Sequence, residues 1–207
     1  MSERLYSRAL WLSYFTVGYN IIEAIVSIVA GVFAGSIALI GFGLDSIMES
    51  LSAMVMIWRF GKHGKVSEEE EQRIEVKAIK LVAYTFFILA AYVLYVSIDK
   101  LLSRDIPEPS LVGIVIATLS MIVMPVLFYL KYRTAKAIGS RSLIADSKET
   151  LACFFLSFAL LIGLSINYAF GFWQADPIVG IIIALFLIRE GYEVFMEAKE
   201  EAEEEAS

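Results

Sequence analysis

The 207-residue chain is 58% hydrophobic, with a mean hydropathy of +0.71 and a formal net charge of −6. Soluble domains carry a smaller apolar share, so the composition points to a membrane protein. A basic nucleic-acid footprint is absent, which excludes nucleic acid as a partner, and the single Cys153 excludes an intrachain disulfide framework.

The N-terminal stretch "MSERLYSRALWLSYF" shows no A-x-A-like site after a short apolar core, so no cleavable signal peptide is expected. Six apolar segments follow in chain order, near 10–33, 36–58, 79–102, 110–131, 143–168 and 176–196. Each is long enough to cross a hydrocarbon core of ~30 Å as a helix, which takes about 20 residues. The expected fold is an all-α membrane protein of six transmembrane helices. The stretch "RFGKHGKVSEEEEQRIEVKAIK" reads as a polar linker into the third helix, its "EEEE" run as a solvated face and His63 as a solvated loop residue. Residues 1–198 form one expected transport domain, and 199–207 an acidic tail. Trp11, Trp58 and Trp173 read as interfacial anchors.

Orientation follows from Lys and Arg. With both termini inside, the inner side receives Arg4, Arg8, Arg59, Lys62, Lys65, Arg73, Lys77, Lys80, Lys131, Arg133, Lys136, Arg141, Arg189 and Lys199. The outer side receives only Lys100 and Arg104. The positive-inside rule then places both termini in the cytoplasm.

The second segment holds Asp45 and Glu49 within "GSIALIGFGLDSIMES", and the fifth holds Asp146 and Glu149 within "GSRSLIADSKETLACF". Set side by side, Gly35 matches Gly139, Leu39-Ile40 matches Leu143-Ile144, Asp45 matches Glu149 and Glu49 matches Cys153. Two such segments three helices apart cross the membrane in opposite senses, the form of an inverted repeat that in transporters places the binding site where the repeats meet. Both Asp45 and Glu149 lie ten residues into their segments, roughly 15 Å and so near the midplane. At 100° per residue, Ala38, Gly41, Asp45, Glu49 and Ser52 share one stripe, and Ser142, Ala145, Asp146, Glu149 and Cys153 share another. Small residues in both stripes let the two backbones approach closely.

An ionised Asp at the bilayer centre costs roughly 2.5–3.5 kcal/mol on insertion scales. Lys148 reads as the only base in the expected interior of any helix, and it lies about 100° around the helix from Glu149. Three readings stay open: a structural ion pair with Lys148, protonated packing groups, or a cation pathway. The third accounts for four acids at once, and carboxylates with a soft Cys suit a divalent metal. Cys153 alone reads as apolar filler. Asn20 and Glu23 also face inward, the first as a helix–helix hydrogen-bond group and the second as a candidate proton carrier.

At these residues the chain resembles the cation diffusion facilitator family of divalent-metal transporters. That family's second helix carries S-x-A-L-x-A-D-x-x-H/D-S-x-x-D, where this chain has "SIALIGFGLDSIME"; its fifth carries A-D-x-x-H/D-x-x-x-D, where this chain has "ADSKETLAC". Its sixth-helix pattern is similar to Asp176-Pro177-Ile178 with Arg189-Glu190-Gly191. The resemblance implies metal ligation by Asp45, Glu49, Glu149 and Cys153, with Asp146 beside the site. The chain departs from the pattern in having no His in either helix, Cys153 in place of the last Asp, and Gly41-Phe42 in place of the Ala-Asp of helix 2. It is similar to a compact branch lacking the cytoplasmic C-terminal domain, so a homodimer would rest on membrane helices.

The expected function is efflux of a divalent transition metal, Zn²⁺ first, by proton antiport through a site built from Asp45, Glu49 and Glu149, with Asp146 and Cys153 behind them. The metal is substrate, and no cofactor is expected. Expected partners are the metal ion, protons and the lipid bilayer. The expected location is multi-pass in a membrane, the cell membrane in a prokaryote. Mn²⁺ or Fe²⁺ export is the nearest alternative, because oxygen-rich sites suit those ions. A non-transporting membrane subunit with structural buried acids is another. An intramembrane metalloprotease would need H-E-x-x-H, which is absent, so no enzyme is expected.

Overall fold

In a bilayer the backbone must satisfy its own N–H and C=O groups, and a helix does this within one segment. The structure, a computed structural model, describes residues 2–34, 37–104, 111–170, 172 and 174–204. Among these residues it forms six helices: α1 (Ser2–Ala34), α2 (Ile37–Lys62), α3 (Glu68–Ser103), α4 (Leu111–Ile138), α5 (Arg141–Phe170) and α6 (Ala175–Glu204). Among the described residues, four helices are long and apolar enough to cross a membrane, over Glu3–Phe33, Leu39–Lys62, Glu69–Ser103 and Leu111–Ile138. The expected fifth and sixth spans fall on α5 and α6, of 30 residues each. Trp173 and the Gly35-Ser36 pair lie outside the described residues.

The helices outrun the apolar segments. α3 has 36 residues, about 54 Å of helix at 1.5 Å per residue, against a core of about 30 Å. The stretch expected as a polar linker is therefore mostly helix, because polar residues at a helix end in water need no separate loop. Ser67 caps α3, its hydroxyl accepting from the Glu70 N–H at 3.3 Å. The acidic run that follows fills the first turn, where the helix dipole favours negative charge. Nor is that run uniformly solvated. Glu69 pairs with Arg73 on the exposed face, while Glu71 turns inward to Arg59 (3.6 Å) and His63. His63 lies in the turn after α2, as expected, but it is stacked flat on Tyr6 with ring centroids 3.3 Å apart, which corrects its reading as solvated.

Pairing is unequal. α1 packs most extensively on α2, α3 on α6, and α4 on α5. Gly43 permits the first of these contacts, since a Cβ there would stand 2.9 Å from the Ala24 carbonyl oxygen of α1. The largest apolar cluster gathers Met56, Ile79, Val82, Phe86, Leu143 and Leu187 from α2, α3, α5 and α6. Large apolar side chains such as Trp11, Phe33, Leu111 and Ile122 point outward, as a lipid-facing surface requires. Buried hydroxyls bond back to the preceding turn, Thr16 to the Leu12 carbonyl (2.9 Å) and Ser157 to the Cys153 carbonyl (2.9 Å).

Candidate functional site

Both polar stripes are buried. On α2, Asp45, Glu49 and Ser52 face inward, and on α5 so do Ser142, Asp146, Glu149 and Cys153. The Cys153 thiol meets the Asp45 carboxyl across the two helices, with Glu49 and Glu149 in its electrostatic neighbourhood. Glu149 Oε2 accepts from Thr85 Oγ1 of α3 at 3.0 Å. Glu49 is 0% exposed, and neither of its carboxyl oxygens has a hydrogen-bond partner among the described residues. One oxygen each of Asp45 and Glu149 is likewise unpartnered. A buried polar atom left so costs about 1–3 kcal/mol, and a charged one more.

Asp146 has a different environment. Lys131 Nζ of α4 lies 2.8 Å from its Oδ2, both side chains being 0% exposed, and Ser52 Oγ of α2 donates to its Oδ1 at 2.9 Å. Lys131 also donates to Thr150 Oγ1 at 2.9 Å. Lys131, which the charge count had assigned to the inner surface, is thus fully interior. α4 runs on to Ile138 and carries it inward on the same face as Met124, Leu127, Thr134 and Ala135. Continuing the helical period past the last apolar residue would have found it. Lys148, the only base expected inside, instead pairs with Glu190 of α6 at 2.8 Å. Of the four acids Asp45, Glu49, Asp146 and Glu149, one therefore has a lysine, and Glu49 faces no base that the sequence anticipated.

Glu23 of α1 adjoins the site from the other side. It accepts from Ser46 Oγ of α2 at 2.8 Å and from Tyr19 Oη at 3.0 Å. Asn20 is fully buried, and neither of its amide atoms has a hydrogen-bond partner among the described residues.

Among the described residues, no three His, Cys, Asp or Glu side chains are gathered closely enough to hold one ion. The α2 and α5 donors are neighbours without forming a closed shell. A cleft lined by Gly41, Asp45, Tyr92, Ser97 and Lys100 reaches Asp45 from the side of the α3 C-terminus. At the opposite end a polar clamp joins α2, α3 and α5. Glu75 of α3 takes the Arg59 guanidinium of α2 and accepts from Ser140 Oγ (2.9 Å), the Ser142 N–H (3.0 Å) and Ser142 Oγ (3.0 Å) at the start of α5. The sequence reading missed this clamp. Its polar members look like loop residues until α2 and α3 are seen to extend through them.

Long apolar helices around a buried carboxylate-rich pair define an integral, multi-pass membrane protein. The chain matches the cation efflux transmembrane domain over residues 13–201 and belongs to that family. It is 26% identical to Transmembrane protein 163 of Xenopus laevis over 191 residues, covering 92% of this chain and 67% of that protein. It is 23% identical to an uncharacterized transporter of Methanocaldococcus jannaschii, covering 84% of this chain and 63% of that protein. It is 22% identical to a cadmium, cobalt and zinc/H(+)-K(+) antiporter of Bacillus subtilis, covering 93% of this chain and 62% of that protein. The chain spans about two thirds of the length of these relatives.

Proposed function

We propose that the protein exports a divalent transition metal in exchange for protons, with Zn²⁺ the favoured ion, through a site between α2 and α5. The observation that carries this reading is Glu49, fully buried with both oxygens unpartnered, opposite Glu149 and Cys153. A cation is the occupant that such a carboxylate lacks. Family membership and the metal and proton named for the Bacillus subtilis relative support the same reading.

Asp45, Glu49 and Glu149 are the first ligands, with Cys153 completing the shell once α2 and α5 close on the ion. Metal requires deprotonated donors, so loading releases protons, and protons arriving from the other side displace the metal. The returning site is then neutralised and avoids a bare buried charge. The thiol favours Zn²⁺ over the harder Mn²⁺. Residues 1–198 serve as the transport domain with both termini in the cytoplasm, 199–207 extend it as an acidic tail, and any dimer forms through membrane helices.

The test is metal flux into proteoliposomes under an imposed pH gradient, with Zn²⁺, Mn²⁺ and Fe²⁺, for wild type, Asp45→Ala and Glu149→Ala. Wild type moves Zn²⁺ fastest and both variants fail. Equal flux in all three proteins, or none in wild type, contradicts the proposal.

A further inference from the structure

The interior acids are not equivalent, and the difference lies in one lysine. Asp146 has an ion pair with Lys131 at one oxygen and a hydrogen bond from Ser52 at the other, while Glu49 has neither among the described residues. We propose that Lys131 is a positioning residue of the site: a built-in cation that withholds Asp146 from the metal and limits the site to one ion.

The inference rests on the transport reading above and follows from three observations. Asp146 and Glu149 are three residues apart on α5, so their side chains are neighbours on one face. Freed of Lys131, Asp146 would offer a further carboxylate beside Glu149. Lys131 is also held from two directions, by Asp146 at 2.8 Å and Thr150 at 2.9 Å, so the ammonium is fixed in place. Finally, its electrostatic neighbourhood includes Glu49 and Glu149 as well as Asp146. Withdrawing the lysine would leave a divalent ion facing four carboxylates instead of three. Such a site holds the ion more tightly or admits a second one, and a transporter must let its ion go.

A simple structural pair tying α4 to α5 would share the same contacts, so the test needs readouts that a structural role does not move. Zn²⁺ affinity and stoichiometry are measured by titration of detergent-purified wild type, Lys131→Arg, Lys131→Met and the double variant Lys131→Met/Asp146→Asn, with metal-free melting as the control for folding. The double variant removes both charges together and carries the test if Lys131→Met fails to fold. It is expected to bind one Zn²⁺ per chain within about threefold of wild-type affinity. Lys131→Met is expected to bind about tenfold tighter, or to take a second ion, and Lys131→Arg to behave as wild type. A double variant that melts like wild type but binds about tenfold more weakly makes Asp146 a ligand and overturns the proposal. So does a Lys131→Met protein with unchanged affinity and stoichiometry. Wild type that binds no Zn²⁺, Mn²⁺ or Fe²⁺ is a separate outcome, which overturns the transport reading and this proposal with it.

Discussion

Glu49→Gln separates a metal ligand from a packing acid, because the two roles predict opposite signs. The substitution keeps the shape of a fully buried side chain and removes its charge. If Glu49 awaits a cation, the metal-free protein loses an uncompensated acid, so its stability holds or rises. The metal-bound protein loses a ligand. At a metal concentration 100 times Kd, binding stabilises the fold by about 2.7 kcal/mol. A 100-fold loss of affinity brings the same concentration to the variant's Kd and leaves about 0.4 kcal/mol. For a chain of this size 1 kcal/mol corresponds to about 2–4 °C in Tm, so a metal-induced rise of about 5–11 °C should shrink to about 1–2 °C. The assay is thermal unfolding in detergent with and without Zn²⁺. A Glu49→Gln protein that melts lower without metal, yet keeps the full metal-induced rise, would refute the reasoning.

Four further expectations follow from particular contacts. Glu75→Ala leaves the nearly buried Arg59 with only its longer contact to Glu71 and frees Ser140 and Ser142 at the start of α5; it should cost about 1–3 kcal/mol, read as a lowered melting temperature. Cys153→Ser exchanges a soft donor for a hard one, so Cd²⁺ affinity should fall more than Mn²⁺ affinity in parallel titrations. Gly43→Val forces a side chain against the Ala24 carbonyl and should cost about 1–3 kcal/mol without changing which metal binds. Raising pH should increase the Zn²⁺-induced stabilisation of wild type, since metal competes with protons for the same donors; a flat profile in melting assays across pH would contradict that competition.

How much of this was legible in the sequence depended on which signal carried it. The six helices and the two acidic stripes were readable because apolar length and the 100° period are local properties. The motifs around Asp45, Glu49 and Glu149 led to the family that the chain matches. Helix ends were not readable from hydropathy, which falls where a helix leaves lipid even though the helix continues. That hid the start of α3 at Glu68 and with it the Glu75 clamp. Lys131 was hidden for a related reason: α4 had been ended at that residue, and burial of the ammonium depends on Asp146, which another helix supplies. Lys148 was overvalued because it lay inside an apolar run, whereas its partner Glu190 is on α6.

The central claim is exchange of metal for protons, and the most direct test follows both in one vesicle. Proteoliposomes loaded with a pH-sensitive dye and a Zn²⁺ indicator, given Zn²⁺ outside and acid inside, should show Zn²⁺ uptake together with internal alkalinisation. Reversing the pH gradient should slow or reverse the metal flux, and Asp45→Ala vesicles should show neither signal. Zn²⁺ uptake with no change in internal pH, or identical traces in wild-type and Asp45→Ala vesicles, would contradict the account.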